Sequence, residues 1–489
     1  MAITSNYTPT PAPMKQTLAS AYLDFTGGAN DWAQQYVPDL MEQEAEVFGT
    51  RTISGFLAQV GAEESMTADQ VVWSEQSRLH LSYTASSGGT GTTLTVTHDA
   101  DGTAVTTGTY SSGDHGIRPG DMLLVADADK TARVYVLSIN STTGVLTVQP
   151  YGDGANLTSA NIGIADGTSN CKVLVFGSEY AKGNTGRDAA NKARFQHYDN
   201  KPIIIKDKYE ISGSDASQIG WVEVTGEMGQ AGYLWYLKSE GDTRARFGDY
   251  LEMAMIESQK STGQGTTDLA AASPGTNGGA ITGTEGLFAA IEARGNETTG
   301  ITGVNAATDL AEFDLMLAEL DKNGAIEENM MFLNRTTSLA IDDMLASMNS
   351  YGAGGTSYGV FANSEEMALN LGFAGFRRGS YDFYKSDWKY LNDLATRGLI
   401  NAKDTVNAIR GVMIPAGVSS VYDQTLGKNL KRPFLHVRYR ASQTDDRRYK
   451  TWITGSVGAV TSDLDAMEVH YLSERCLVVQ GANNFFLMN

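Results

Sequence analysis

The sequence predicts an α+β protein interrupted by a small all-β module, and three observations carry that prediction. Between residues 84 and 175, 37 of 92 residues are Gly, Ser or Thr, and short β-type runs alternate there with turn signals. Residues 230–260 carry apolar side chains at helical spacing. From Phe373 to the end the chain is a succession of strand-like runs.

Length and composition bound the rest. At roughly 150 residues per domain, 489 residues suggest about three domains. Hydrophobic residues at 41% and charged residues at 19% describe a globular chain, and 53 Gly against 10 Pro favour hairpins and loops over stiff linkers. A formal charge of -20 argues against a protein that coats nucleic acid, because such affinity rests on neutralising phosphates. Cys171 and Cys476 lie too far apart in sequence for a stapled framework, so reduced, inert thiols are expected. The N-terminal MAITSNYTPTPAPMK lacks the apolar core of a secretory signal, and no run approaches a membrane span. Maturation in a cytosol, with no membrane partner, is the expectation.

Residues 1–67 read as a polar arm that turns acidic at Asp39, Glu42, Glu44 and Glu46, with one short helix and an apolar patch at Phe56, Leu57 and Val60. VVWSEQSRLHLSY (71–83) reads as a strand. The inserted module follows, with LTVT, MLLV, RVYVLSI, VLTVQP and KVLVF as strands between Asp-Gly, Pro-Gly and Thr-Gly turns, a pattern that predicts a barrel or sandwich. Residues 202–224 resume strand patterning, as if completing an excursion begun near Val71. The stretch 230–260 predicts one long helix, with Leu237, Arg244, Phe247, Leu251 and Met255 on one face, Tyr233, Leu234 and Ile256 widening it, and Gly241 and Gly248 as points of bending. After a Gly-rich loop (261–306) come a helix over 309–321 opened by Asp309 and Glu312, a strand at NMMFLN, and a helix over 336–348 with Ile341, Leu345 and Met348 inward. Asn363 and Glu366 open another short helix, which ends at Gly372. FAGF, YDFY, GVMI, FLHVRYR, YKTWI, AMEVHYL, CLVV and FFLM read as strands.

Catalytic patterns are absent. The six histidines show no HxxxH spacing, Gly427-Lys428 precedes Asn429 where a phosphate loop needs Ser or Thr, and no GxSxG occurs. Asp99-Ala100-Asp101-Gly102 suits a hairpin turn better than a calcium loop. Trp221, Trp235, Trp388 and Trp452 suit core packing better than sugar stacking. No cofactor, metal or catalytic residue is expected, and the chain reads as a non-enzyme. One charge feature stands out. Residues 428–450 hold eight Lys or Arg against two Asp, and in FLHVRYR the period of two puts Leu435, Val437 and Tyr439 on one face and His436, Arg438 and Arg440 on the other. A subunit contact, a nucleic-acid site and a solvated face all remain open for this segment. The acidity of the remaining chain favours the first. Arg438, Arg440, Arg447 and Arg448, facing Glu42, Glu44 and Glu46 of another copy, are the candidate interface residues.

The order of parts, together with the phrases VVWSEQSRLHL, YLWYLKSEGDTRARFGDYLEMAMIES and GFAGFRRGSYDFYKSDWKYLNDL, resembles the tailed-phage major capsid protein family with the Hong Kong 97 fold, and crAss-like phage capsid proteins in particular. The resemblance implies an N-terminal arm (1–67), an extended β loop (68–83 and 176–226), the inserted β domain (84–175) as an extra part, a peripheral domain with its spine helix (227–350), and an axial domain with returning peripheral strands (351–489). It implies self-assembly in hexamers and pentamers into an icosahedral head in the host bacterial cytoplasm. That head encloses double-stranded DNA without sequence-specific binding, with portal, scaffold and auxiliary or fibre proteins as further partners. No scaffold-like leader precedes the arm, so maturation by leader removal is not expected. The alternative is a carbohydrate-binding or carbohydrate-cleaving β-rich tail protein, which would carry a repetitive β sequence with little helix.

Overall fold

The computed structural model describes residues 57, 62–76, 80–88, 91–100, 102–105, 115–152, 154–159, 162, 164, 171–187, 195–217, 224–225, 231–232, 235–261, 281–324, 326–348, 375–403, 408–416, 418–423, 428–457 and 460–489. Glu42, Glu44 and Glu46, and the helix expected at Asn363, lie outside them. The chain divides into two units, Met1–Trp73 with Asp199–Asn489, and Ser74–Tyr198.

Strands β1 (Ala62–Met66) and β2 (Val71–Gln76) come first. Six strands then close a barrel in the order β3-β4-β7-β6-β5-β8: β3 (Ser82–Gly88), β4 (Thr93–Asp99), β5 (Asp121–Ala126), β6 (Thr131–Ile139), β7 (Leu146–Pro150) and β8 (Cys171–Ser178). Alternation builds it. Leu94, Val96, Leu123, Val125, Val134, Val136, Leu146, Val148 and Val173 point inward, and their neighbours point out. Register shifts at Thr84/Ala85, Met122/Leu123 and Val136/Ser138 supply the bulges that bend strands around the ring. The Asp-Gly turn forms as expected: Asp99 Oδ1 accepts from Thr103 N at 2.9 Å, and Gly102 takes φ +83. The Pro-Gly turn puts Gly120 at φ +93, where a Cβ would sit 2.7 Å from the Tyr180 ring. The barrel overruns the compositional break at both ends because closure pairs Ser82 with Leu174 across β3 and β8. The run 71–83 is accordingly two strands.

β9 (Phe195–Asn200) spans the boundary between the units and leads to β10 (Ile203–Ser212), the single turn α1 (Gly213–Ala216), and the short pair β11 (Val224–Thr225) and β12 (Ala231–Gly232). β2 pairs with β9, just before 202–224, and β10 pairs with β22. The long helix α2 spans Trp235–Glu257, and β12 occupies the start of the expected range. It runs through Gly241 and Gly248 without a break, because Phe247, Leu251, Met255 and Ile256 are buried along one stripe and tertiary packing outweighs about 1 kcal/mol per glycine. Arg244 is exposed beside that stripe, its guanidinium 5.9 Å from the Tyr449 ring.

Next come α3 (Leu287–Arg294) within the Gly-rich stretch, β13 (Asn296–Thr298) and α4 (Ala306–Asn323). The cap of α4 is Asn305, whose side chain accepts from Ala307 N and Thr308 N; Asp309 and Glu312 instead hold the preceding turn through Gly303 N and Thr302 N. β14 (Glu328–Leu333), α5 (Arg335–Met348), β15 (Gly375–Arg378), β16 (Tyr381–Asp387), α6 (Lys389–Asn392), α7 (Arg397–Lys403), β17 (Gly411–Pro415), and the hairpin β18 (Val418–Asp423) and β19 (Lys428–Pro433) follow. The chain ends in β20 (Leu435–Arg440), β21 (Lys450–Gly455), β22 (Ala466–Val479) and β23 (Phe486–Met488).

A six-stranded sheet runs β13-β23-β17-β14-β16-β15, and its central strands are buried on both faces. Met331, Leu333, Met413, Phe486 and Met488 meet Phe313, Met316 and Leu320 of α4 and Ile341, Met344 and Leu345 of α5. The alternate residues Phe332, Val412, Ile414 and Leu487 meet Leu287, Phe288 and Ile291 of α3 and Tyr390 of α6. Strands covered on both sides are apolar throughout, which is why β17 reads Gly-Val-Met-Ile-Pro with every residue buried.

The second sheet runs β1-β20-β22-β10, with β21 also on β22. β22 is one strand of 14 residues, correcting the expectation of two, since Ser473, Glu474 and Arg475 between the apolar runs are bonded within the sheet region. β10 lines one edge over Ala466–Arg475, while β21 and β20 share the other. Phe247 of α2 packs on this sheet, 5.4 Å from Tyr449 and 5.7 Å from Tyr471 by ring centroids, and its burial contributes about 2–3 kcal/mol.

Candidate functional site

The basic segment becomes the strand next to a sheet edge, with β1 as the edge strand itself. β20 lies between β22 and β1, and β1 pairs with it in parallel from Ala62↔His436 to Met66↔Arg440. Leu435 and Val437 are buried as their spacing predicts. His436 is buried too, its Nδ1 3.3 Å from Pro433 O.

Each candidate arginine meets an acid of its own chain. Glu64 stands opposite Arg438 in the ladder, and their charged groups are 2.7 Å apart. Arg440 pairs with Asp69 and reaches Glu474 at 3.5 Å, and Arg447 Nε is 2.7 Å from the same Glu474. Arg448 pairs with Glu63 and lies 5.5 Å over the Tyr439 ring. A fifth arginine joins them from β22. Arg475 is nine-tenths buried, donates to Ser473 Oγ and Arg448 O at 2.9 Å each, and lies 3.9 Å from Glu63.

The electrostatics follow burial and pairing. Loss of water pushes the Arg475 guanidinium down, and the charge of Glu63 opposes that. The hydrogen bond and charge of Arg440 hold the Asp69 carboxyl below its usual range. The edge holds the acidic strand β1 of its own chain, with ladder pairing supplying register and the arginines supplying opposite charge.

The sequence pattern brought Arg438, Arg440, Arg447 and Arg448 together, and the fold keeps them together. It did not identify Glu63, Glu64, Asp69, Glu474 or Arg475. A signal for two of them was present: Ser-Glu-Arg between AMEVHYL and CLVV puts charges inside an apolar run, where they stay only if paired.

Among the described residues no group of three or more His, Cys, Asp or Glu could hold a metal ion, and no helix is long and apolar enough to cross a membrane. Cys171 and Cys476 are both buried and form no disulfide, and burial pushes the Cys476 thiol up to about 12. Trp388 is a core residue, and Trp452 stacks on His470 with centroids 5.1 Å apart. Trp221 lies outside the described residues.

No family model matches the chain, and no curated protein matches it. Among solved structures it is similar to the capsid of cyanophage P-SCSP1u, with a TM-score of 0.40 and 7% identity over 95% of each chain. It is similar to the mature capsid of bacteriophage PhiM1, with a TM-score of 0.39 and 8% identity over 92% of this chain and 91% of that one. A chain from Gordonia phage Cozz gives a TM-score of 0.40 and 10% identity over 96% of this chain and 97% of that one.

Proposed function

We propose that this chain is the major capsid protein of a tailed double-stranded DNA bacteriophage, a structural subunit that assembles through hexamers and pentamers into an icosahedral head. The observation that carries the reading is the order of parts: a polar arm, strands around an inserted barrel, a 23-residue helix laid on a sheet, and a strand-rich end. That is the order on which the sequence resemblance rests. In this reading 1–67 is the arm, 68–83 and 176–226 the extended loop, 227–350 the peripheral domain and 351–489 the axial domain, with the barrel as an added module. The exposed aliphatic trio Leu394, Leu399 and Ile400 also suits a subunit whose surface is covered by copies of itself. The portal, scaffold and auxiliary proteins are the further partners, and the net charge of -20 suits a wall that encloses DNA without holding it.

The test is expression of the chain alone and with its phage's scaffold protein, followed by light scattering and electron microscopy. Capsomers, shells or tubes are expected. A chain that stays monomeric with the scaffold present would overturn the proposal.

A further inference from the structure

We infer that the β20 edge is a receptor for acidic extended segments, occupied here in cis by residues 62–69 and able to take the same segment from a second copy of the chain. Only the source of that second segment rests on the self-assembly reading. Three observations carry the inference.

The first is demand. Arg475 is nine-tenths buried, and Glu63 is the acid that pairs with it. Removing that partner leaves Glu252 as the acid that still favours the buried charge, so the edge prefers an acidic occupant.

The second is the nature of the present occupant. Of the side chains described in β1, only Met66 is buried, at 8% exposure, while Glu63 and Ser65 are exposed. Glu63, Glu64 and Asp69 are matched with Arg448, Arg438 and Arg440. A five-residue parallel strand with one apolar anchor is held by charge and edge hydrogen bonds, and charge pairs at half-exposed positions weaken with salt.

The third is tethering. Leu57, just upstream, is buried in the core beside Met255 and Ile256, and its N–H donates to Glu252 Oε1 at 2.9 Å. Downstream, Gln70 Nε2 donates to Asp199 Oδ2 at 2.9 Å. The segment is thus pinned on both sides, which gives it a local concentration on the order of millimolar at its own edge. A segment from another chain competes only where copies are packed at similar concentration, as in an assembling shell. In dilute solution the edge stays filled in cis.

The probe is a fluorescent peptide of residues 62–70, AEESMTADQ, added to the full-length chain carrying Glu63→Gln, Glu64→Gln and Asp69→Asn, which weakens the cis occupant. The expected result is saturable binding that falls about tenfold or more on raising salt through the physiological range, with no binding of a peptide whose acids are replaced by amides. No binding to a variant whose circular dichroism matches the parent overturns the inference. Binding of a double-stranded DNA oligomer without binding of the peptide also overturns it and makes the edge a nucleic-acid site. If the variant does not fold, the unmodified chain decides: amides of residues 63–66 should exchange faster as salt is raised, and salt-independent exchange refutes a charge-held strand. All these readouts use dilute monomer, so they are independent of whether shells form.

Discussion

The barrel and the sheet around β22 treat their strand edges in opposite ways. In the barrel every strand has two neighbours, β3 and β8 meet to close the ring, and the interior is almost wholly apolar. The β22 sheet ends on β1, a short strand that charges hold in place. An edge removed by closure has nothing left to offer a partner, whereas an edge filled by ion pairs stays exchangeable and sensitive to its medium. Only the second kind suits a surface for contacts between copies.

The largest expected effect concerns where the barrel ends. Replacing residues 82–178 by a short Gly/Ser linker should leave the other unit with a cooperative thermal transition, because loop length enters stability only logarithmically. Replacing only 86–174 leaves Tyr83 and Ala85, both core residues of the barrel, without partners, and aggregated protein is expected. Equal behaviour of the two deletions would show that β3 and β8 are not integral to the closed module.

Next in size is Phe247→Ala, which empties the space between α2 and β22 and should cost about 3–5 kcal/mol in urea unfolding. Hydrogen exchange in β5 and β6 should not change. Faster exchange there would make the barrel and the other unit one cooperative body.

Acidification should move the two regions in opposite directions. Asp121, at the start of β5, is fully buried; it binds Arg187 at 2.8 Å, and burial raises its carboxyl above 3.8. A raised folded value means that this group favours folding below 3.8 and loses that contribution as pH rises through the raised value. Asp69 is depressed by Arg440, so its contribution is present above 3.8 and is lost as pH falls through the depressed value. Lowering pH through this range should therefore loosen residues 62–69 while the Asp121 contribution to the barrel grows. Exchange rates measured separately for β1 and β5 check this, and Asp121→Asn should flatten the barrel's response alone.

The smallest effect is Glu64→Gln. Its pair with Arg438 is partly solvated, so a loss of about 0–1 kcal/mol is expected by calorimetry, largely abolished in high salt. A loss well beyond that range would mean that β1 is locked rather than exchangeable.

Much of this was legible in the residues. The alternation in MLLV and RVYVLSI, punctuated by Asp-Gly and Pro-Gly, describes a small all-β module because period and turn chemistry are local properties, and only the pairing of β3 with β8 makes it a barrel and not a sandwich. The stripe Phe247, Leu251, Met255 describes a helix for the same reason. The cap of α4 was misread because Asp309 and Glu312 suit a first turn as well as Asn305 suits the cap, and only the hydrogen bonds to Gly303 and Thr302 separate the roles. The candidate edge was half legible: the clustered arginines stood out by charge, but their acids did not.

By itself the sequence determined the kinds of element, the inserted module and the gathering of Arg438, Arg440, Arg447 and Arg448 on one segment, since each follows from spacing along the chain. The tertiary structure alone decided that β14 and β17 are covered on both faces, that β22 is a single strand, and that Glu63, Glu64 and Asp69 answer the arginines in cis. Those arrangements depend on residues tens to hundreds of positions apart. Their choice depends on which strands lie side by side, and one-dimensional periodicity carries no information about that.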